Sequence, residues 1–132
     1  QEIVNAYDNA LLYTDHVLAS LVAKLQAAAG EVDSLMLYVS DHGESLGESN
    51  LFLHGLPYAI APDVQKQVPM VMWFSEGLTA AAGLDLDCVR RRATQPAAHD
   101  HLFHTVLGLA DVRTALYAPD WDLLRACRKA QP

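Results

Sequence analysis

The sequence predicts an α/β fold, and three features predict it. An apolar stripe with helical spacing runs through the first quarter of the chain, and two short, continuously apolar runs follow it at 34–41 and 68–74. A helix followed by strands that read as buried on both faces is the pattern of an α/β layer.

The elements follow in chain order. Ile3, Tyr7, Leu11, Leu18, Val22 and Leu25 fall at steps of three, four and seven, which draws one apolar face along a helix ending near Gly30. The run SLMLYVSD at 34–41 is short, apolar and bounded by polar residues, so it reads as a buried strand. Residues 40–62 then form a long polar connection carrying Gly43, Gly47, Gly55, Pro57 and Pro62. Connections of this length are usually functional or disordered. VPMVMWF at 68–74 is a second buried strand, with Pro69 early enough to sit at its start. A Gly/Ala-rich turn falls near 80–83, a helix over 87–93 and another over 100–109 with Asp100 as its N-cap, and a terminal segment closes near Cys127. No repeat, low-complexity tract or internal boundary interrupts the 132 residues, which is one domain's worth of chain.

Composition narrows the class. With 52% hydrophobic and 19% charged residues the chain is that of a folding globular protein, not a disordered one. A net charge of −7 repels a polyanionic backbone, and the basic cluster Arg90, Arg91, Arg92 is too short to reverse that, so nucleic acid is excluded as a partner. The longest apolar runs, such as 35–39, are far too short to span a bilayer. The chain opens QEIVNAYDNALLYTDH with a helical pattern under way and no initiator methionine, so it reads as a piece of something longer, in which any membrane anchor lies elsewhere. Cys88 and Cys127 lack metal-knuckle spacing; they either close one long-loop disulfide in an oxidising compartment or remain two buried thiols.

The chemistry concentrates in SDHGESLGESNLFLHGLP, residues 40–57. Asp41 and His42 stand at the carboxyl end of the first strand, where ligands gather in an open α/β sheet. A hard carboxylate oxygen beside a borderline imidazole nitrogen suits Zn²⁺ or Mn²⁺ better than Ca²⁺. Gly43 lets the backbone turn sharply and leaves room for substrate. His54 lies beyond the glycine-bearing loop. Two adjacent ligands and one distant histidine do not fill a coordination shell. By itself the Asp-His pair is equally explained by an aspartate capping a turn, and His54 by a surface loop histidine. Glu44 and Glu48 read either as groups supporting a metal or as solvated loop glutamates. His101 and His104, three apart on a helix, read as structural, and Asp15 and His16 point apart on the first helix.

The longer string YVSDHGESLGESNLFLHGLPYAIAPDVQKQVPMVMW resembles the C-terminal part of the phosphoethanolamine transferases, the lipid A-modifying branch of the alkaline phosphatase and sulfatase superfamily. NAYDNALLYTDHVL and AHDHLFHTVLGLADVRTALY extend the resemblance over nearly the whole chain. It implies an α/β fold that is the C-terminal portion of an alkaline-phosphatase/sulfatase-like sandwich, with a mostly parallel central sheet flanked by helices. It implies Asp41 and His42 as ligands of a catalytic Zn²⁺ and His54 as a catalytic residue lining the phosphoryl site. A glutamate ligand and a nucleophilic threonine would come from earlier segments, as would the membrane domain, so this chain alone is expected to be inactive. The implied substrates are phosphatidylethanolamine and lipid A, and the implied location is the periplasmic face of the bacterial inner membrane, an address that favours oxidation of Cys88 and Cys127. Left without partner strands, exposed sheet edges favour association with another copy. The rivals are a sulfatase-like phosphoglycerol transferase or phosphodiesterase, and a non-catalytic α/β interaction module.

Overall fold

The structure, a computed structural model, describes residues 1–129. The sequence marks no internal boundary, yet the chain gathers into two compact units, Gln1–Ser75 and Glu76–Pro132.

The first unit begins with α1, Glu2–Ala27, where the apolar stripe predicts a helix. Tyr7, Leu18, Val22 and Leu25 of that stripe are half-buried. Ile3 and Leu11 are not, and Leu12, Tyr13, Val17 and Leu21 also face outward, each at least 42% exposed. No residue of α1 is fully buried. β1 (Leu35–Val39) and β4 (Met70–Phe74) pair in register from Leu35 opposite Phe74 to Val39 opposite Met70. Pro69 does stand just ahead of β4, its carbonyl accepting from the Ser40 N–H at 3.4 Å.

The pairing is antiparallel, as is that of the two short strands Ser45–Leu46 and Phe52–Leu53, so the strands described here do not show the mostly parallel sheet expected of them. A continuous apolar run reports that a strand's faces are to be covered; it carries no signal for the direction of its neighbour. The covering is also partial, since Met36 alone among the residues of these two strands is buried.

The connection between β1 and β4 is not structureless. It folds into a short hairpin, β2 (Ser45–Leu46) with β3 (Phe52–Leu53), paired Ser45 to Leu53 and Leu46 to Phe52. A 3₁₀ turn at Asp63–Gln65 then presses against the hairpin. Gln65, only 7% exposed, donates from Nε2 to Ser45 Oγ at 2.8 Å and to the Leu53 carbonyl at 3.1 Å. The Gly43 N–H donates to the Gln65 carbonyl at 3.0 Å.

The second unit is helical: α2 (Glu76–Ala81), α3 (Leu86–Arg92) and α4 (Asp100–Leu109), followed by 3₁₀ turns at Pro119–Trp121 and Arg125–Cys127. Asp85 caps α3, accepting from the Asp87 and Cys88 N–H groups, and these bonds, that of Cys88 foremost, hold its carboxyl below the ordinary range. α4 begins at Asp100 itself, so the residue expected as its N-cap is its first helical residue, where a carboxylate still faces the positive end of the helix. Cys88 and Cys127 form a disulfide across Cα atoms 5.4 Å apart, which resolves the two alternatives left by their spacing. Asp122, whose side chain is fully buried, accepts from Arg128, from Tyr117 Oη at 2.7 Å and from the Leu124 N–H at 2.9 Å. A buried carboxylate of this kind is tolerable only when so fully partnered.

Candidate metal and phosphoryl site

The site is assembled by the connection after β1. β1 delivers Asp41 and His42 at its carboxyl end, and the hairpin returns His54 to them. The imidazole rings of His42 and His54 lie 3.8 Å apart between centroids, tilted by 35°. Glu44 completes the group: its Oε2 is 3.1 Å from His54 Nδ1. One ligand atom from each of His42, Glu44 and His54 can be chosen within 4.8 Å of the others, a spacing compatible with a single metal ion.

The hydrogen bonds fix the tautomers. His42 Nδ1 lies 3.0 Å from the Gly43 carbonyl, which only accepts, so Nδ1 carries the proton and Nε2 offers its lone pair. His54 donates from Nδ1 to the Glu44 carboxylate, which again frees Nε2. A carboxylate or carbonyl on the far ring nitrogen is the arrangement that orients metal-binding histidines. The other carboxylate oxygen, Glu44 Oε1, is buried without a hydrogen-bond partner. Leaving such an oxygen unpartnered is costly, and a cation satisfies it. The donor set therefore fits a divalent metal.

Asp41 is placed differently from its two companions. Its carboxylate accepts from the His42 N–H at 3.0 Å and its side chain is 88% exposed. Its Oδ2 nevertheless stands 3.8 Å from His42 Nε2, within reach of an ion held by that nitrogen. His42 thus belongs to two pairs, with Asp41 on one side and with Glu44 and His54 on the other.

Several further residues take definite places. The space beside Gly43 is not left for substrate: a Cβ there would collide with the Val64 carbonyl, so the glycine lets the 3₁₀ turn approach the backbone. Leu53, directly before His54, sits at φ 63°, an uncommon conformation for a side chain of its size. Glu48 turns to the hairpin, accepting from the Leu46 N–H at 2.7 Å, and backbone N–H groups, its own foremost, hold its carboxyl below the ordinary range. His101 and His104 are structural: their Nδ1 atoms accept from the Ala98 and Ala118 N–H groups, each at 3.0 Å. Sequence reasoning set Glu44 aside as indistinguishable from a solvated glutamate and did not single out Gln65. The faint signal for Glu44 was its place two residues after His42, across a glycine.

A second wall lies beyond His54. A cavity of about 220 Å³ is lined by His42, His54, Leu56, Tyr58, Gln65 and Lys66 among others. The Lys66 ammonium is 3.3 Å from the Asp63 carboxylate and 5.2 Å from the centre of the Tyr58 ring.

A family model described as Sulfatase matches residues 1–112. The chain is 45% identical over 130 residues to phosphoethanolamine transferase EptA of Escherichia coli K12, covering 98% of this chain and 24% of that protein. It is 44% identical over 112 residues to phosphatidylethanolamine transferase Mcr-1 of Escherichia coli, covering 85% of this chain and 19% of that protein. Its structure superposes on the soluble domain of lipooligosaccharide phosphoethanolamine transferase A from Neisseria meningitidis with a TM-score of 0.92 and 45% identity, covering 97% of this chain and 39% of that one. The chain thus spans about a fifth to a quarter of the length of the curated relatives it matches.

Proposed function

The chain belongs to the sulfatase family, and from that premise we propose that it is the C-terminal part of a zinc-dependent transferase that moves phosphoethanolamine from phosphatidylethanolamine to lipid A. The observation that carries this reading is the His42, Glu44, His54 cluster, with Asp41 beside it, in a chain 45% identical to a phosphoethanolamine transferase over 98% of its length.

Asp41 and His42 hold the zinc together with ligands from segments outside this chain. When bound, zinc supplies Lewis acidity that favours a deprotonated hydroxyl and offsets charge on phosphoryl oxygens. His54 contributes the mobile proton. With Nδ1–H held by Glu44, its Nε2 is free to take up a proton and pass it to a phosphoryl or leaving oxygen. Diacylglycerol departs as the phosphoethanolamine group is taken up by a threonine outside this chain, and a lipid A phosphate receives it in a second step. Among the described residues no helix is long and apolar enough to cross a membrane; the full-length protein is placed at the periplasmic face of the bacterial inner membrane by this reading. The outward apolar residues of α1 and the open strand edges are covered by segments outside this chain, and the isolated 132-residue chain, itself inactive, associates with further copies through them.

The test uses the full-length protein in a bacterium that lacks its own transferase of this kind. Mass spectrometry of lipid A should show the added phosphoethanolamine group, and Asp41→Ala, His42→Ala and His54→Ala should each remove it at equal expression. Unmodified lipid A with the well-expressed wild-type protein would defeat the proposal.

A further inference from the structure

We propose that Lys66 anchors the phosphate of the acceptor and so separates the second half of the transfer reaction from the first; this rests on the transferase reading above. Lys66 is the permanent cation among the described residues lining the cavity behind His54. Its side chain is only 23% exposed, and its ammonium is held by Asp63 at 3.3 Å and over the ring of Tyr58 at 5.2 Å from the centroid. The ammonium has three donors, and Asp63 occupies one of them, so donors remain for phosphate oxygens. Because the side chain is already ordered, little rotamer freedom is lost when it makes those bonds.

Size and charge select the ligand. A cavity of about 220 Å³ lies below the roughly 300–1,000 Å³ typical of sites for drug-sized molecules and has room for a phosphate-bearing headgroup. The charged and titratable groups facing it are His42, His54 and Lys66, with Glu44 behind His54 and Asp63 engaged by Lys66. The face of Tyr58 that would attract an ammonium is already occupied by the protein's own. A zwitterionic phosphoethanolamine entering here would bring its ammonium against Lys66, whereas a phosphate monoester brings only negative charge. The cavity therefore favours the acceptor over the donor.

The experiment compares wild type, Lys66→Met and Lys66→Arg in the full-length protein. Diacylglycerol release from phosphatidylethanolamine without acceptor reads the first half-reaction, and the acceptor KM for lipid A reads the second. Losing one charge-assisted hydrogen bond corresponds to about a tenfold effect. Lys66→Met should raise the acceptor KM about tenfold and change diacylglycerol release far less, and Lys66→Arg should restore most of the loss. Equal effects on both half-reactions, or no effect on either, would overturn the assignment. Calorimetric titration with inorganic phosphate gives a reading independent of turnover. A loss of about tenfold in phosphate affinity in Lys66→Met supports the site even if wild type releases no diacylglycerol, an outcome that defeats the transferase reading instead. Unchanged phosphate affinity counts against Lys66 whatever the activity.

Discussion

Gln65→Met isolates the residue that holds His54 in place. Methionine keeps the volume and removes both donors. Ser45 is 1% exposed and its Oγ receives the shorter bond, 2.8 Å, so stranding that hydroxyl costs about 1–3 kcal/mol. The Leu53 carbonyl, 3.1 Å away, belongs to a residue 68% exposed, where water replaces the lost donor and the loss is below about 1 kcal/mol. Leu53 also stores strain at φ 63°, worth about 1 kcal/mol or more, and its release offsets part of the loss. The net destabilisation should be about 2 kcal/mol, read as a lower urea midpoint at unchanged slope. The effect on function should be larger than the effect on stability. Once Leu53 relaxes, His54 turns away from Glu44, and loss of such an orienting partner lowers activity or metal affinity by roughly 10–100-fold. Ser45→Ala is the control: it removes the buried acceptor and leaves the Leu53 bond, so it should lower the midpoint while preserving most transfer to lipid A. If both variants lose similar stability and both retain wild-type transfer, Gln65 is a packing residue and the reasoning fails.

The remaining expectations concern both units. Gly43→Ala should cost about 3 kcal/mol or more, the upper range for overpacking, because the Cβ meets backbone of Val64 and Gln65 instead of a side chain that can swing aside; soluble yield and urea midpoint report it. Reducing the disulfide, whose cysteines are 39 residues apart, should destabilise the second unit by about 4 kcal/mol on loop entropy, visible as a reductant-dependent transition that Cys88→Ser/Cys127→Ser abolishes. Burial first, then the bond to Asp122, pushes the Tyr117 phenol above its ordinary value. That contribution is complete below the unfolded value near 10 and is lost as pH rises through the higher folded value, so Tyr117→Phe should flatten the alkaline limb of the stability curve. Asp85 has the opposite sign. Its lowered carboxyl stabilises above the unfolded value near 3.9 and loses this as pH falls through the folded one, so Asp85→Asn should weaken the acid limb.

What was legible in the sequence is what repeats locally. The stripe from Ile3 to Leu25, the apolar runs of β1 and β4, and the helical patterns later written as α3 and α4 are signals contained within the elements they predict. Strand direction is not such a signal, which is why the antiparallel pairing of Leu35 with Phe74 could not be read from two apolar runs. The hairpin strands are two residues long, below the length at which alternation can be recognised. The cap expected at Asp100 failed by one position, because Ala98 and His101 close the helix start between them.

The histidines were visible by chemistry, and their support was not. His42 and His54 were singled out as residue types suited to metal or phosphoryl work, and the structure brings their rings together at 3.8 Å. Glu44 and Gln65 looked like any loop polar residues, because the burial of a polar side chain depends on partners far along the chain: His54 for the first, Ser45 and Leu53 for the second. Such partners leave no periodicity behind. A loop that must satisfy its own buried polar groups, with no regular ladder to do so, can close in few ways. Here one closure joins the Gly43 backbone, the Gln65 amide and the strained Leu53 carbonyl. The long polar connection is thereby converted from a tether into the hydrogen-bonded frame that a two-histidine site needs.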